Sequence, residues 1–129
     1  MRAPGLEPKG HAMATGAESE RLTGILRRAM VALVRREGPD LTARQFAVFL
    51  CCYLDDRAQT VRGLSQALGI SKPAVSRALD RLGEFDLVVR AVDEADRRSI
   101  LARRTPTGAG FMREIRALRD LTIVVSEQV

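Results

Sequence analysis

The chain has 129 residues, 46% of them apolar and 4% aromatic, a size and composition that suit one aliphatic core. It has no apolar run of the roughly 18 residues that span a bilayer, and no hydrophobic leader at its start; a cytoplasmic protein without membrane contact is expected. Net charge is +5, and the span from Arg57 to Arg104 sets ten basic residues against six acidic ones, which points to a polyanionic partner, a solvated basic surface being the plain alternative.

Residues 1–17 hold two prolines, three glycines and no periodicity, as a flexible arm does. His11, the one histidine, lies there without neighbours of metal-ligand type. Over residues 18–37 the pattern changes. Leu22, Ile25, Leu26, Ala29, Met30, Leu33 and Val34 recur at helical spacing until Gly38-Pro39 ends the helix. The stripe is expected to pack into a core, and its width also suits a dimer interface. A second helix opens with a capping box at Thr42 and Gln45 and carries Phe46, Phe49, Leu50 and Tyr53 on its apolar face. Cys51 and Cys52 fall inside that helix. Adjacent helical side chains diverge by about 100°, so a disulfide between them would be strained. Buried structural thiols are expected, with a redox-sensing thiol as the alternative.

Residues 60–82 organise the rest. Thr60 is placed to cap a helix with Val61, Leu64, Ala67 and Leu68 on one face. Gly69 follows, where a helix end favours positive φ. Ser71 is a good N-cap for the next helix and Pro73 is tolerated in its first turn. Val75, Ala78, Leu79 and Leu82 form the buried face, leaving Lys72, Ser76 and Arg77 outward. That is a helix-turn-helix with a recognition helix; a plain helical hairpin with solvated cations is the alternative.

Over residues 87–104 two short β-prone runs flank a charged stretch, giving a hairpin, or wing, tipped by Arg97 and Arg98. Thr105-Pro106 then caps a last helix carrying Phe111, Ile115, Leu118, Thr122 and Val125, whose first turn Gly108 and Gly110 weaken. Residues 121–125 are apolar nearly all round and need a partner surface. The expected fold is mainly α with a small β-hairpin: a winged helix-turn-helix flanked by N- and C-terminal helices, in one domain over residues 18–129.

This order of elements resembles the MarR family of bacterial winged-helix transcriptional regulators. The motifs that carry the likeness are Leu41-Thr42-x-x-Gln45, Leu64-x-x-x-Leu68-Gly69-Ile70-Ser71 and Val75-Ser76-Arg77-x-Leu79-x-x-Leu82. To these add Asp93-x-x-Asp96-Arg97-Arg98 and Thr105-Pro106-x-Gly108. The likeness covers roughly residues 18–120. It implies a dimeric, sequence-specific DNA-binding regulator, most simply a repressor of a palindromic operator. By position, Ser71, Lys72, Ala74, Ser76 and Arg77 would face bases and phosphates in the major groove. Arg97 would enter the minor groove beside Arg98, and Asp96 would hold a wing arginine in place. The outer helices, residues 18–37 and 106–129, would form a homodimer through Leu22, Ile25, Leu26, Leu118, Leu121 and Val125.

Two departures from the family pattern stand out. Asp86 occupies a turn where the family usually has Gly, and Asp tolerates positive φ better than most residues. Only about 25 residues follow the wing, enough for one helix where the family generally has two. The resemblance leaves room for a small-molecule effector. No cofactor, metal or catalytic residue is expected, because no glycine loop, His or Cys pair, or facing carboxylates are placed for such chemistry. The alternative function is a winged-helix adaptor for protein assembly without sequence-specific DNA binding, which the short C-terminus and apolar tail favour.

Overall fold

The computed structural model describes residues 15–128, with side chains through residue 117. The expected arm lies outside the described residues except for its last three positions, and His11 lies outside them too. Those three positions already start a helix. Thr15 is the N-cap of α1 (Gly16–Arg35): its hydroxyl accepts from the Glu18 amide at 3.1 Å, and the Glu18 carboxylate accepts from the Thr15 amide at 3.2 Å. This reciprocal box satisfies two orphan amides and brings the helix start forward of Glu18.

Among the described residues, Leu41–Phe111 form one compact unit, and those up to Asp40 together with those from Met112 form another. In the first, α2 (Ala43–Leu54) opens on the expected capping box between Thr42 and Gln45 and buries Val48, Phe49, Cys52 and Tyr53. Leu50, expected on that face, is only half-buried. Helix α3 (Val61–Leu68) ends on Gly69 at φ 65°, and α4 (Lys72–Glu84) packs against α2 and α3. Phe49 sits 4.5 Å from Tyr53 and 5.1 Å from Phe111, centroid to centroid, at the centre of an otherwise aliphatic core.

The wing is the antiparallel pair β2 (Val88–Val92) and β3 (Ile100–Arg104), with Val88 opposite Arg104 and Val92 opposite Ile100. A third strand, β1 (Gln59–Thr60), lies on the other edge of β3, with Gln59 opposite Ala102. It was not expected, because two residues are too few to show an alternating pattern. Thr60 both ends this strand and caps α3, its hydroxyl accepting from the Gly63 amide at 2.9 Å.

Between α4 and β2, Asp86 takes φ 57°, so the turn survives without glycine, as the tolerance of Asp for that region allows. Its carbonyl accepts from the Thr105 hydroxyl at 2.5 Å and its carboxylate from the Thr107 hydroxyl at 2.9 Å. Tyr53 joins the same junction. Its hydroxyl donates to the Leu87 carbonyl at 2.6 Å and accepts from the Thr105 amide at 3.0 Å. Gly108, in the first turn of α5 (Pro106–Gln128), is where that hydroxyl needs room.

In the second unit, the stripe of α1 is not core. No residue of the helix is buried, Leu22 and Leu26 are each 61% exposed, and Val34 is 78% exposed. Helical spacing shows that a face is apolar; it does not show what covers it. Arg36, just past the end of α1, pairs with Glu114 of α5 at 2.7 Å. Among the described residues, helix α5 follows the wing; the side chains of Leu118, Leu121 and Val125 lie outside the described ones. Among the described residues no helix is long and apolar enough to cross a membrane.

Candidate nucleic-acid interface

Helix α4 is held at a set angle to α3 by short-range bonds. The Ser71 hydroxyl accepts from the Ala74 amide at 3.2 Å, and Ser65 donates from its hydroxyl to the Ile70 carbonyl at 2.6 Å. Ala74, Val75, Ala78, Leu79 and Leu82 are buried, whereas Ser71, Lys72 and Arg77 are exposed and Ser76 is half-buried. The outward basic face therefore exists, with one correction. Ala74, expected to face DNA, is only 6% exposed, because it stands one turn before Ala78 on the core stripe.

The wing tip is an ordered turn. Asp93 and Ser99 are joined by a backbone bond of 3.0 Å, and Ala95 donates its amide to the Asp93 carboxylate at 2.9 Å. Asp96 accepts from the Arg98 amide at 3.2 Å and from Arg98 Nε at 3.3 Å, and the Ser99 hydroxyl donates to its other oxygen at 3.4 Å. Arg97 points elsewhere and pairs with Glu94 at 3.1 Å, both side chains being more than 70% exposed. An exposed pair of this kind is worth under about 1 kcal/mol, so Arg97 is free to exchange Glu94 for another anion.

With this geometry in place the comparison with known proteins can be read: residues 39–99, which hold the helix-turn-helix and the first strand and tip of the wing, match a model of the MarR family. That stretch, just under half of the chain, is similar to the MarR family. No curated protein sequence matches it. Among solved structures, the transcriptional regulator Tm0710 of Thermotoga maritima is 22% identical with a TM-score of 0.72, over 86% of this chain and 77% of that one. The MepR–DNA complex of Staphylococcus aureus is 20% identical with a TM-score of 0.64, over 85% of each chain. MepR bound to ethidium bromide is 22% identical with a TM-score of 0.66, over 90% of this chain and 84% of that one. At these identities the likeness is one of fold.

Within the winged helix, not all of the basic excess is available to a partner. Arg104 donates to the carbonyls of Cys52 at 2.9 Å and Asp55 at 2.7 Å and lies over the Tyr53 ring, so it satisfies the C-terminal end of α2. Arg81 is bound to Glu84 and stacks on Phe85. Two cations gain interest instead. Arg90 on β2 bonds Asp80 on α4 at 2.5 Å, tying wing to α4, and Arg62 lines the same cleft as Arg90. Neither was singled out from the sequence, since only the folded chain brings α3, α4 and β2 together.

The cysteines do not have the character of a thiolate sensor. Burial pushes the Cys52 thiol up to about 12, with Cys51 and Asp55 adding to the shift and Arg104 opposing it; burial and then Asp55 also raise Cys51. A thiol-alkylating reagent at pH 8 should label half-buried Cys51 before buried Cys52, and both far more slowly than an unfolded peptide. Rapid, equal labelling of the folded protein would overturn this assignment. Because folding raises these values, the stability they contribute is complete below the ordinary thiol value of 9.0. It is lost as pH climbs from there towards about 12. Among the described residues no group of His, Cys, Asp or Glu is placed to hold a metal ion.

Proposed function

We propose that the chain is a sequence-specific DNA-binding regulator that acts as a homodimer, most simply as a repressor of a palindromic operator. One observation carries the reading. The outward basic start of α4 and the arginine-tipped wing border the same cleft of one compact unit, the spacing needed to address a major groove and the neighbouring minor groove together. On this reading Lys72, Ser76 and Arg77 meet bases and phosphates, Ser71 contributes at the start of the helix, and Arg97 enters the minor groove. Arg98, steadied by Asp96, contacts the backbone beside it. The narrow groove of an A·T-rich flank concentrates negative potential and favours an inserted arginine. The DNA complex of MepR, a protein of the same fold, supports this reading.

Dimerisation would use α1 and α5, and the exposed Leu22 and Leu26 with half-buried Ile25 supply an apolar row for it. The ethidium complex of MepR supports a small-molecule effector for this chain as well.

The test is selection of bound duplexes from a random pool at two salt concentrations, followed by sequencing. Enrichment of a palindrome with half-sites about ten base pairs apart is the expected result. Salt-sensitive binding without enrichment would remove sequence readout from the proposal. An absence of binding would replace it with the protein-assembly reading.

A further inference from the structure

Asp80 lies one turn after Ser76 and Arg77 on the outward face of α4, where a lone carboxylate would repel the backbone of a nucleic acid. It is not alone. Arg90 on β2 donates from Nη2 to its Oδ1 at 2.5 Å, and both side chains are about half exposed. Among the described residues this is the one ion pair that joins α4 to the wing. Arg81 pairs with Glu84 on its own helix, and Arg97 and Arg98 pair within the wing tip.

The rest of the wing is anchored only at its base. Val88 and Ala102 are buried, whereas Val89, Arg90 and Val92 are exposed. Strand β3 has β1 beside it as far as Leu101, but β2 is an edge strand with β3 as its one neighbour. From Ile100 outward the wing is a two-stranded hairpin, a structure of marginal stability by itself. Arg97 sits at its far end, where a small change of angle at the base becomes a large displacement. We propose that Asp80 and Arg90 are positioning residues that hold the wing at a set attitude to α4, so that Arg97 meets the minor groove while Arg77 occupies the major groove. The pair acts before binding, because a wing already held at its binding angle loses less freedom on the DNA. Neither side chain has to touch a base or a phosphate. This assignment rests on the DNA-binding reading above, and it accounts for an acidic residue on a face that is otherwise basic.

The experiment titrates wild type, Asp80→Ala, Arg90→Ala, Arg97→Ala and the double variant Asp80→Ala with Arg97→Ala against the selected operator, at about 50 and 200 mM salt. Electrostatics alone would make Asp80→Ala bind more tightly, since it removes a negative charge from a surface that meets DNA. Positioning predicts the opposite sign: a loss of roughly fivefold, a weaker preference for the A·T-rich flank, and an unchanged slope of log K against log salt. Arg90→Ala should lose a similar factor, again at unchanged slope. In the Arg97→Ala background the effect of Asp80→Ala should shrink below about twofold, because the pair acts through Arg97. Exposed ion pairs add little to folding stability, so every variant should melt with wild type. Unchanged or tighter binding by Asp80→Ala would overturn the positioning role while leaving the proposed function standing. An Arg90→Ala loss with the slope lowered by about 0.9 would make Arg90 a phosphate contact and overturn it equally. So would a full Asp80→Ala loss in the absence of Arg97. A wild type that binds no duplex would overturn both proposals.

Discussion

Replacing Gly108 by alanine should leave the chain largely unfolded at 37 °C. A β-carbon at that position would lie 1.8 Å from the Tyr53 hydroxyl oxygen and 2.2 Å from the Leu87 carbonyl oxygen. Neither can step aside cheaply. The carbonyl belongs to the backbone at the start of the wing, and the hydroxyl bonds both Leu87 and the Thr105 amide. Relieving the overlap means moving the start of α5 and breaking buried hydrogen bonds. Overpacking costs about 1–3 kcal/mol or more, and each orphaned buried group about 1–3 kcal/mol besides. A total of about 4 kcal/mol would take most of the stability of a typical small domain. Urea unfolding of Gly108→Ala beside Gly83→Ala checks the cause. Gly83 is also helical, but its added carbon would meet only the Val88 carbonyl at 3.8 Å, so that variant should match wild type or gain up to about 1 kcal/mol. Equal stability of the two variants would refute the packing account.

Arg97→Ala should weaken operator binding by roughly 10- to 100-fold, the range of a charge-assisted hydrogen bond made in a water-poor groove. The loss should fall on the A·T-rich flank, so the variant should lose its preference there while keeping its preference for the bases that α4 reads. Glu94→Gln makes the informative companion. Glu94 holds Arg97 at 3.1 Å in the free protein, and that pair must open before the arginine can enter a groove. Removing the carboxylate charge should leave affinity unchanged or raise it a few-fold, and a loss of binding would mean that Glu94 orients the arginine instead. Fluorescence anisotropy on operators with A·T and G·C flanks separates these outcomes. An Arg97→Ala titration that overlays wild type on both would remove the wing from DNA recognition.

The features legible in the residues are those that neighbours in the chain decide. The Thr42–Gln45 box, the Gly69 and Ser71 pair and the tolerance of Asp86 for φ 57° each rest on contacts within five positions. So does the Asp96–Arg98 bond. The division of α4 into a buried and an outward face follows from its period of 3.6; Ala74, expected outward by the family resemblance alone, is buried one turn before Ala78. Local rules misread Gly108. In the chain it is a weak helix former in the first turn of α5; in the fold it is the space that Tyr53 occupies, 55 positions away.

By itself, then, the sequence determined the order of helices and wing, the caps that begin them, and the basic character of the recognition segment. Short-range hydrogen bonds and the helical period act between near neighbours and leave their mark in residue spacing. Only the tertiary structure decided that Arg104 serves the end of α2, that β1 joins the sheet, that α1 leaves its apolar row exposed, and that Arg62, Lys72 and Arg90 share one cleft. Each depends on chain segments distant in sequence meeting in space, and a single residue's type says nothing about which segment it will meet.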